Sequence, residues 1–186
     1  LGYLANYAKS VVAGDISAEI MSRAQATYGD AFALKVFDAT SIPWPDQSFD
    51  ALLLFEAIYY LPDVDAFLKE ARRVLRPGGH LLIATANKDL YDFTPSPFSV
   101  RYYGVMELQE ACDRHGFESK FWGFVEISKV SVRQKILRPV KSIASRLGLV
   151  PKTMEGKEFL KKLFFGTIVD MPASILDTPL NYVKPT

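Results

Sequence analysis

The stretch FDALLLFEAIYYLPDVDAFLKEARRVLRPGGHLLIATA, residues 49–86, decides the fold. Phe49 to Phe55 is apolar on both faces, as a strand in the middle of a parallel sheet must be. From Val64 to Leu75, the residues Val64, Phe67, Leu68, Ala71, Val74 and Leu75 recur at three- and four-residue spacing. Asp65, Lys69, Glu70, Arg72 and Arg73 occupy the other side, so the spacing predicts an amphipathic helix. Arg76-Pro77-Gly78-Gly79 ends it, because proline cannot continue a helix and glycine tolerates the reversal, and His80 to Ala84 resumes as strand. Strand, helix, tight turn and strand make a crossover unit of an α/β fold.

Towards the amino terminus the same alternation continues. Val11-Val12-Ala13-Gly14 reads as a short buried strand ending at Asp15, with Ser17 as N-cap of a helix over Ala18 to Tyr28. Ala33 to Phe37 is the next strand, ended by Asp38, and Pro43, Pro45 and Asp46 then enforce a loop. Towards the carboxyl terminus the pattern loosens. Residues 88–104 hold Pro95, Pro97 and five tyrosines or phenylalanines, a composition suited to a lid. Val105 to His115 looks helical and Phe117 to Ile127 looks like strand. Residues 129–178 read as a helical insertion built from Val132 to Leu147 and Glu155 to Phe165, and Leu180 to Val183 as a last strand. The expected architecture is a single domain over 1–186, with a Rossmann-like, mostly parallel sheet, helices on both faces, an antiparallel last strand and a helical C-terminal insertion.

Bulk properties exclude several classes. With 22 Lys plus Arg against 21 Asp plus Glu, the charge balance gives no reason to expect a nucleic-acid partner. One cysteine, Cys112, and two histidines, His80 and His115, make neither an internal disulfide nor a metal cluster, so no metal is expected. A reducing cytoplasm is the default compartment. The longest apolar run, Ala51 to Phe55, is too short to span a bilayer. Arg133, Lys135, Arg138, Lys141 and Arg146 beside Ile136, Leu137, Val140, Ile143 and Leu147 form either a solvated helix face or a contact with an anionic lipid or a phosphorylated substrate.

Ligands of open α/β sheets bind outside the carboxyl ends of the strands. An acid ending one strand can take both ribose hydroxyls of an adenosine, and Asp15 stands there; the competing reading is a helix-capping aspartate. Asp38 followed by Ala39 can accept from an adenine amino group while the next backbone amide meets a ring nitrogen; the competing reading is an Asx-turn.

Taken together, Val11 to Ser17, Asp38-Ala39 with the Pro-Asp-Gln-Ser-Phe-Asp loop at 45–50, Phe55 to Asp63 and Phe67 to Gly79 resemble the type 11 group of class I S-adenosylmethionine-dependent methyltransferases. The resemblance covers residues 1 to about 87, the cofactor-binding part. Of the glycine-rich first motif only Leu1-Gly2-Tyr3-Leu4 is present, with Gly2 at its third glycine; the first strand and earlier glycines lie outside the sequence. The resemblance implies S-adenosylmethionine as cofactor and S-adenosylhomocysteine as product. It implies that Gly2 approaches the methionine part, Asp15 holds the ribose, Ile16 packs on the adenine, Asp38 and Ala39 read the adenine edge, and Phe55 borders the methionine part.

The implied reaction is in-line methyl transfer to a small-molecule or lipid-like acceptor, with Tyr59, Tyr60, Tyr91, Phe98, Tyr102 and Tyr103 as substrate-pocket residues. Their competing reading is a lid packed on the core. Relatives often carry histidine where Tyr60 stands, which speaks against borrowing a histidine base. His115 reads as a helix-end cation and His80 as structural. The alternative functions are a nicotinamide-dependent Rossmann oxidoreductase and a non-catalytic methyltransferase-like module in an assembly.

Overall fold

The computed structural model describes residues 4–90 and 93–123. The chain divides into two compact units, Leu1–Ala86 with Pro95–Ser119, and Asn87–Thr94 with Lys120–Thr186. The loose stretch 88–104 is thus shared between them. The helical insertion and the last strand, expected within residues 129–186, lie outside the described residues.

In the first unit, β1 (Val12–Asp15) leads into α1 (Ala18–Tyr28), then β2 (Ala33–Val36), β3 (Phe49–Phe55), α2 (Val64–Val74), β4 (Leu75–Ala84) and α3 (Val105–Arg114). Short 3-10 turns occupy Leu4–Asn6, Gly29–Ala31 and Ile58–Tyr60. The helix starts obey local chemistry: the Ser17 hydroxyl accepts from the Ile20 N–H at 3.3 Å, and the Asp63 carboxylate accepts from the Ala66 N–H at 2.9 Å. Each satisfies one backbone donor that the first helical turn leaves without a partner.

The strands form two parallel pairs, β1 with β2 and β3 with β4. A doubly wound sheet in the order 3-2-1-4-5 places its first strand between the second and the fourth. Strands two to five of that order, without the first, form the two pairs observed.

The Arg-Pro-Gly-Gly turn is looped out inside β4 instead of separating it from α2. Phe49 pairs with Leu75 and Ala51 with His80, so residues 76–79 bulge from the ladder, with Gly78 at φ 79°. Residues 117–123 form no strand, against expectation. Gly116 reverses the chain at φ 73° and the Phe117 N–H returns to the Cys112 carbonyl at 3.0 Å, so these residues close α3.

The core of this unit lies along α2. Val64, Phe67, Leu68, Ala71 and Val74 are buried, with Leu75, Ile58 and Tyr59, and with Leu108, Ala111 and Cys112 of α3. Arg73 ties α2 to the loop before β3. Its guanidinium donates to Glu70, to the carbonyls of Ile42 and Trp44, and to Asp46, all at 2.8–2.9 Å. Glu70 also accepts from the Ile42 N–H at 2.8 Å, and these bonds hold its carboxyl below the ordinary range.

On β1, Gly14 leaves room for the Phe37 ring, which occupies the place a β-carbon would take. Phe37 is pinned edge-on by Trp44, 5.2 Å between ring centroids, and Trp44 by Phe49 at 5.6 Å. Gly14→Ala is therefore expected to displace the ring and destabilise the protein by about 1–3 kcal/mol, read as a shift in the urea unfolding midpoint at unchanged slope. An unshifted midpoint would show that the ring moves at no cost.

Candidate cofactor-binding site

Parallel pairing puts the ends of β1 and β2 on one edge. Asp15 is in register with Val36, and the Phe37 N–H donates to the Asp15 carbonyl at 3.1 Å, so Asp38 follows directly on the neighbouring strand tip. Asp38 forms the local turn that was its competing reading; Asp15 forms such a turn too, although the cap of α1 is Ser17 and not Asp15. Asp15 Oδ1 accepts from the Ser17 N–H at 2.8 Å, and Asp38 Oδ1 accepts from the Thr40 N–H and hydroxyl, each at 2.8 Å. Each acid does this with one oxygen. Oδ2 of each has no partner among the described residues, and an ionised carboxylate retains acceptor capacity there. The turns fix the carboxylates without saturating them.

Two apolar side chains at strand ends have most of their surface uncovered. Ile16, following Asp15, is 71% exposed, and Phe55, the last residue of β3, is 77% exposed. Ala39 is half-buried. Gly2 and Tyr91 lie outside the described residues.

Glu56, which sequence reasoning passed over, follows Phe55 with φ 50°, a left-handed backbone rare for glutamate. Its N–H donates to the Ala84 carbonyl at 2.8 Å, extending the β3–β4 ladder by one bond, and its Oε2 accepts from the Tyr59 hydroxyl at 3.1 Å. The one signal in the sequence was a carboxylate directly after an apolar strand.

The tyrosines divide into two roles. Tyr59 is buried and stacks on Tyr102 with centroids 4.6 Å apart and planes at 23°. Its carbonyl accepts from the N–H groups of Val100, at 2.8 Å, and Arg101, at 3.3 Å. Tyr59 thus anchors residues 100–102. Burial, helped by the hydrogen bond to Glu56, pushes its phenol up to about 12, so it remains a donor throughout the neutral range. Tyr60, edge-on to Tyr59 at 4.5 Å, and Phe98 are exposed, whereas Tyr102 and Tyr103 are half-buried. Arg101 lies 4.8 Å over the Tyr103 ring.

His115 does mark a helix end. Its Nε2 and the Arg114 guanidinium meet Asp65 Oδ1 at 2.9 and 3.0 Å, linking α3 to the start of α2. These two bonds lower the Asp65 carboxyl. His80 is exposed on β4. Among the described residues no group of three or more His, Cys, Asp or Glu is placed to hold a metal, and no helix is long and apolar enough to cross a membrane. An open cavity of about 280 Å³, lined by Asp46, Gln47, Arg72, Arg73, Leu75 and Pro77, lies where β3 begins. It is at the start of a strand, whereas the acids follow strand ends, and ligands of such sheets bind at the carboxyl ends, so we place the site with the acids.

Comparison with known proteins bears on the family. Residues 1–83 match a family model described as a methyltransferase domain. The chain is 31% identical over 119 residues to a Mycolicibacterium smegmatis protein that carries the name of a probable S-adenosylmethionine-dependent methyltransferase, covering 62% of this chain and 46% of that one. It is 49% identical over 49 residues to a fatty-acid O-methyltransferase of the same organism, covering 26% and 18%. The chain thus spans less than half the length of these curated relatives. Among solved structures, an S-adenosylmethionine-dependent methyltransferase from Mesorhizobium loti superposes with TM-score 0.52 at 21% identity, covering 78% of this chain and 81% of that one. That likeness concerns the fold.

Proposed function

We propose, from the premise that residues 1–83 belong to a class I S-adenosylmethionine-dependent methyltransferase domain, that this protein transfers a methyl group from S-adenosylmethionine to a small-molecule or lipid-like acceptor. The observation that carries the reading is the pair of strand-tip carboxylates, each fixed by a turn through Oδ1 with Oδ2 left over. Two hydroxyls of a ribose need an acceptor in a set position, and an adenine amino group needs a second one close by. Two neighbouring parallel strands supply both.

In this reading Asp15 receives the ribose hydroxyls and Ile16 covers one face of the adenine. Asp38 accepts from the adenine amino group and the Ala39 amide donates to the ring, while Phe55 and Gly2 border the methionine part. The exposed apolar surface of Ile16 and Phe55 supports the assignment, because such surface gains most from a ligand that covers it. The donor, when bound, supplies a methyl group on a cationic sulfonium. The protein's task is to hold the two reactants in line and keep water out, and orientation of that kind supplies on the order of 7–11 kcal/mol in well-ordered systems. No histidine is needed as base, and both described histidines stand elsewhere.

The acceptor would meet Tyr60, Phe98, Tyr102 and Tyr103, of which Tyr60 and Phe98 are open to solvent and Tyr102 is held by Tyr59. The fatty-acid methyltransferase similarity supports a lipid-like acceptor. Titration calorimetry of the whole protein with S-adenosylhomocysteine and, separately, with NAD tests the reading. Saturable binding of the first and none of the second is expected; binding of NAD alone would replace it with hydride-transfer chemistry.

A further inference from the structure

Arg101 is a cation that the fold barely uses. Among the described residues Arg73, Arg76 and Arg114 meet carboxylates at 2.6–3.0 Å. The Arg101 guanidinium reaches Glu107 only at 3.4 Å, with side chains 60% and 34% exposed. A bond of that length between wetted groups is weak and contributes little to stability. Glu107 is engaged elsewhere, since its carboxylate also accepts from the Gly104 N–H at 3.1 Å at the start of α3. Arg101 lies over the Tyr103 ring, 4.8 Å from its centroid, so the side chain is placed while most of its N–H donors have no partner among the described residues.

The surface beside this cation is apolar and fixed. Val100 and Arg101 both donate their N–H groups to the Tyr59 carbonyl, at 2.8 and 3.3 Å. Tyr59 meets Tyr60 edge-on and stacks on Tyr102. The Tyr102 hydroxyl accepts from the Ser96 N–H at 3.3 Å, which ties the turn carrying Phe98 to the same cluster. Yet Tyr60 is 47% exposed, Val100 62% and Phe98 84%. Because the segment is held by its own hydrogen bonds, a ligand that covers these side chains does not have to order them first. Burial pushes the Tyr59 phenol up to about 12 and raises that of Tyr103 as well, so neither becomes a phenolate that would repel an acid.

A ligand that fits has an apolar body for the three exposed side chains and an acid group for the guanidinium, whose planar fork takes a carboxylate through two parallel charge-assisted hydrogen bonds. One cation matches the single charge of a carboxylate. A phosphate monoester, with a charge of about −1.5 to −2, would be left partly unneutralised.

Resting on the methyl-donor reading above, we propose that the methyl acceptor is an amphiphilic carboxylate, its acid group bound by Arg101 and its apolar body lying against Tyr60, Phe98 and Val100. Arg101 thereby selects acids over neutral lipids of the same chain length.

The experiment is calorimetric titration of the whole protein, wild type and variants, with octanoate and with octyl alcohol, equal in chain length and differing in charge. The wild type is expected to bind octanoate about fivefold to tenfold tighter, between what an exposed ion pair and a hydrogen bond to a charged group contribute. Arg101→Gln is expected to remove that preference by weakening octanoate alone, and to melt with the wild type because the pair it loses is long and exposed. Arg101→Lys keeps the charge without the fork and is expected to fall between the two. Phe98→Ala is expected to weaken both probes alike. S-adenosylhomocysteine, titrated into the same proteins, is expected to bind all of them equally. A wild type that binds S-adenosylhomocysteine but shows no preference for octanoate overturns the proposal and leaves the methyl-donor reading standing. So does Arg101→Gln weakening both probes alike or neither, or Phe98→Ala weakening neither. Failure of the wild type to bind S-adenosylhomocysteine overturns both.

Discussion

Replacing Phe67 with alanine is expected to destabilise the protein by about 3–5 kcal/mol, the range for removing a fully buried phenylalanine. Phe67 is 1% exposed, near the middle of α2, with Leu68, Ala71 and Val74 completely buried beside it. α2 serves the core in two directions, packing on β4 and on α3. A cavity here therefore loosens the helix against both partners, and the surroundings relax only in part, which adds to the lost transfer energy. Mesophilic domains are stable by only about 5–15 kcal/mol, so this variant is expected to lose much of its margin. Urea denaturation followed by circular dichroism measures it. A loss below about 1 kcal/mol would mean that the site collapses around the missing ring and that α2 is not the centre of the core. Met106, more than half exposed on α3, provides the contrast: Met106→Ala is expected to change little.

The largest effect on binding is expected at Asp15. Asp15→Ala removes the acceptor proposed for two ribose hydroxyls. Hydrogen bonds to a charged group contribute about 1.5–3 kcal/mol, so affinity for S-adenosylhomocysteine should fall roughly 10- to 100-fold. The same change removes the bond to the Ser17 N–H, so a control must separate the ligand from the start of α1. Ser17→Ala keeps that N–H and loosens the start of α1 through its cap alone. Ser17 caps α1 through its hydroxyl, and its removal should cost about 0.5–2 kcal/mol of stability with no loss of affinity in the folded protein. If Asp15→Ala and Ser17→Ala weaken binding equally, Asp15 acts only through the start of α1 and the ribose assignment is wrong. Asp38→Ala should weaken S-adenosylhomocysteine less than Asp15→Ala, since one adenine amino group replaces two hydroxyls.

Much of the fold was legible because local chemistry and burial agree along residues 11–86. β3 begins and ends where its apolar run does, and α1 spans the residues its cap and period marked. α2 ends within one residue of its expected end. The Arg-Pro-Gly-Gly run was read as a turn, and turn it is, but pairing of Leu75 with Phe49 begins before it. A one-dimensional pattern carries no record of which strand neighbours which, and register is set by partners distant in the chain. Over residues 117–123 the expected strand does not form, for the same reason: its alternation was apolar enough, yet the Phe117 N–H returns to the Cys112 carbonyl to finish α3.

The candidate site divides along the same line. Asp15 and Asp38 could be singled out from sequence, since each follows a strand and precedes a turn, and strand ends in a parallel sheet share an edge by construction. The tyrosines could not be sorted. Tyr59 and Tyr60 are adjacent and chemically identical, and their rings touch edge-on, yet Tyr59 is buried against Tyr102 while Tyr60 is half exposed. Glu56 carried no motif of its own; its left-handed backbone and the hydroxyl that holds it are visible only in three dimensions.

By itself the sequence determined the α/β class, the order of elements through α3 and the two acids at the strand tips, because periodicity, capping and turn chemistry act within a few residues of one another. Only the tertiary structure decided how the strands pair, which oxygen of each acid its turn uses, and that Tyr59 holds Glu56. Those outcomes depend on contacts between segments far apart in the chain, or on backbone angles that their packing imposes, and no local pattern encodes them.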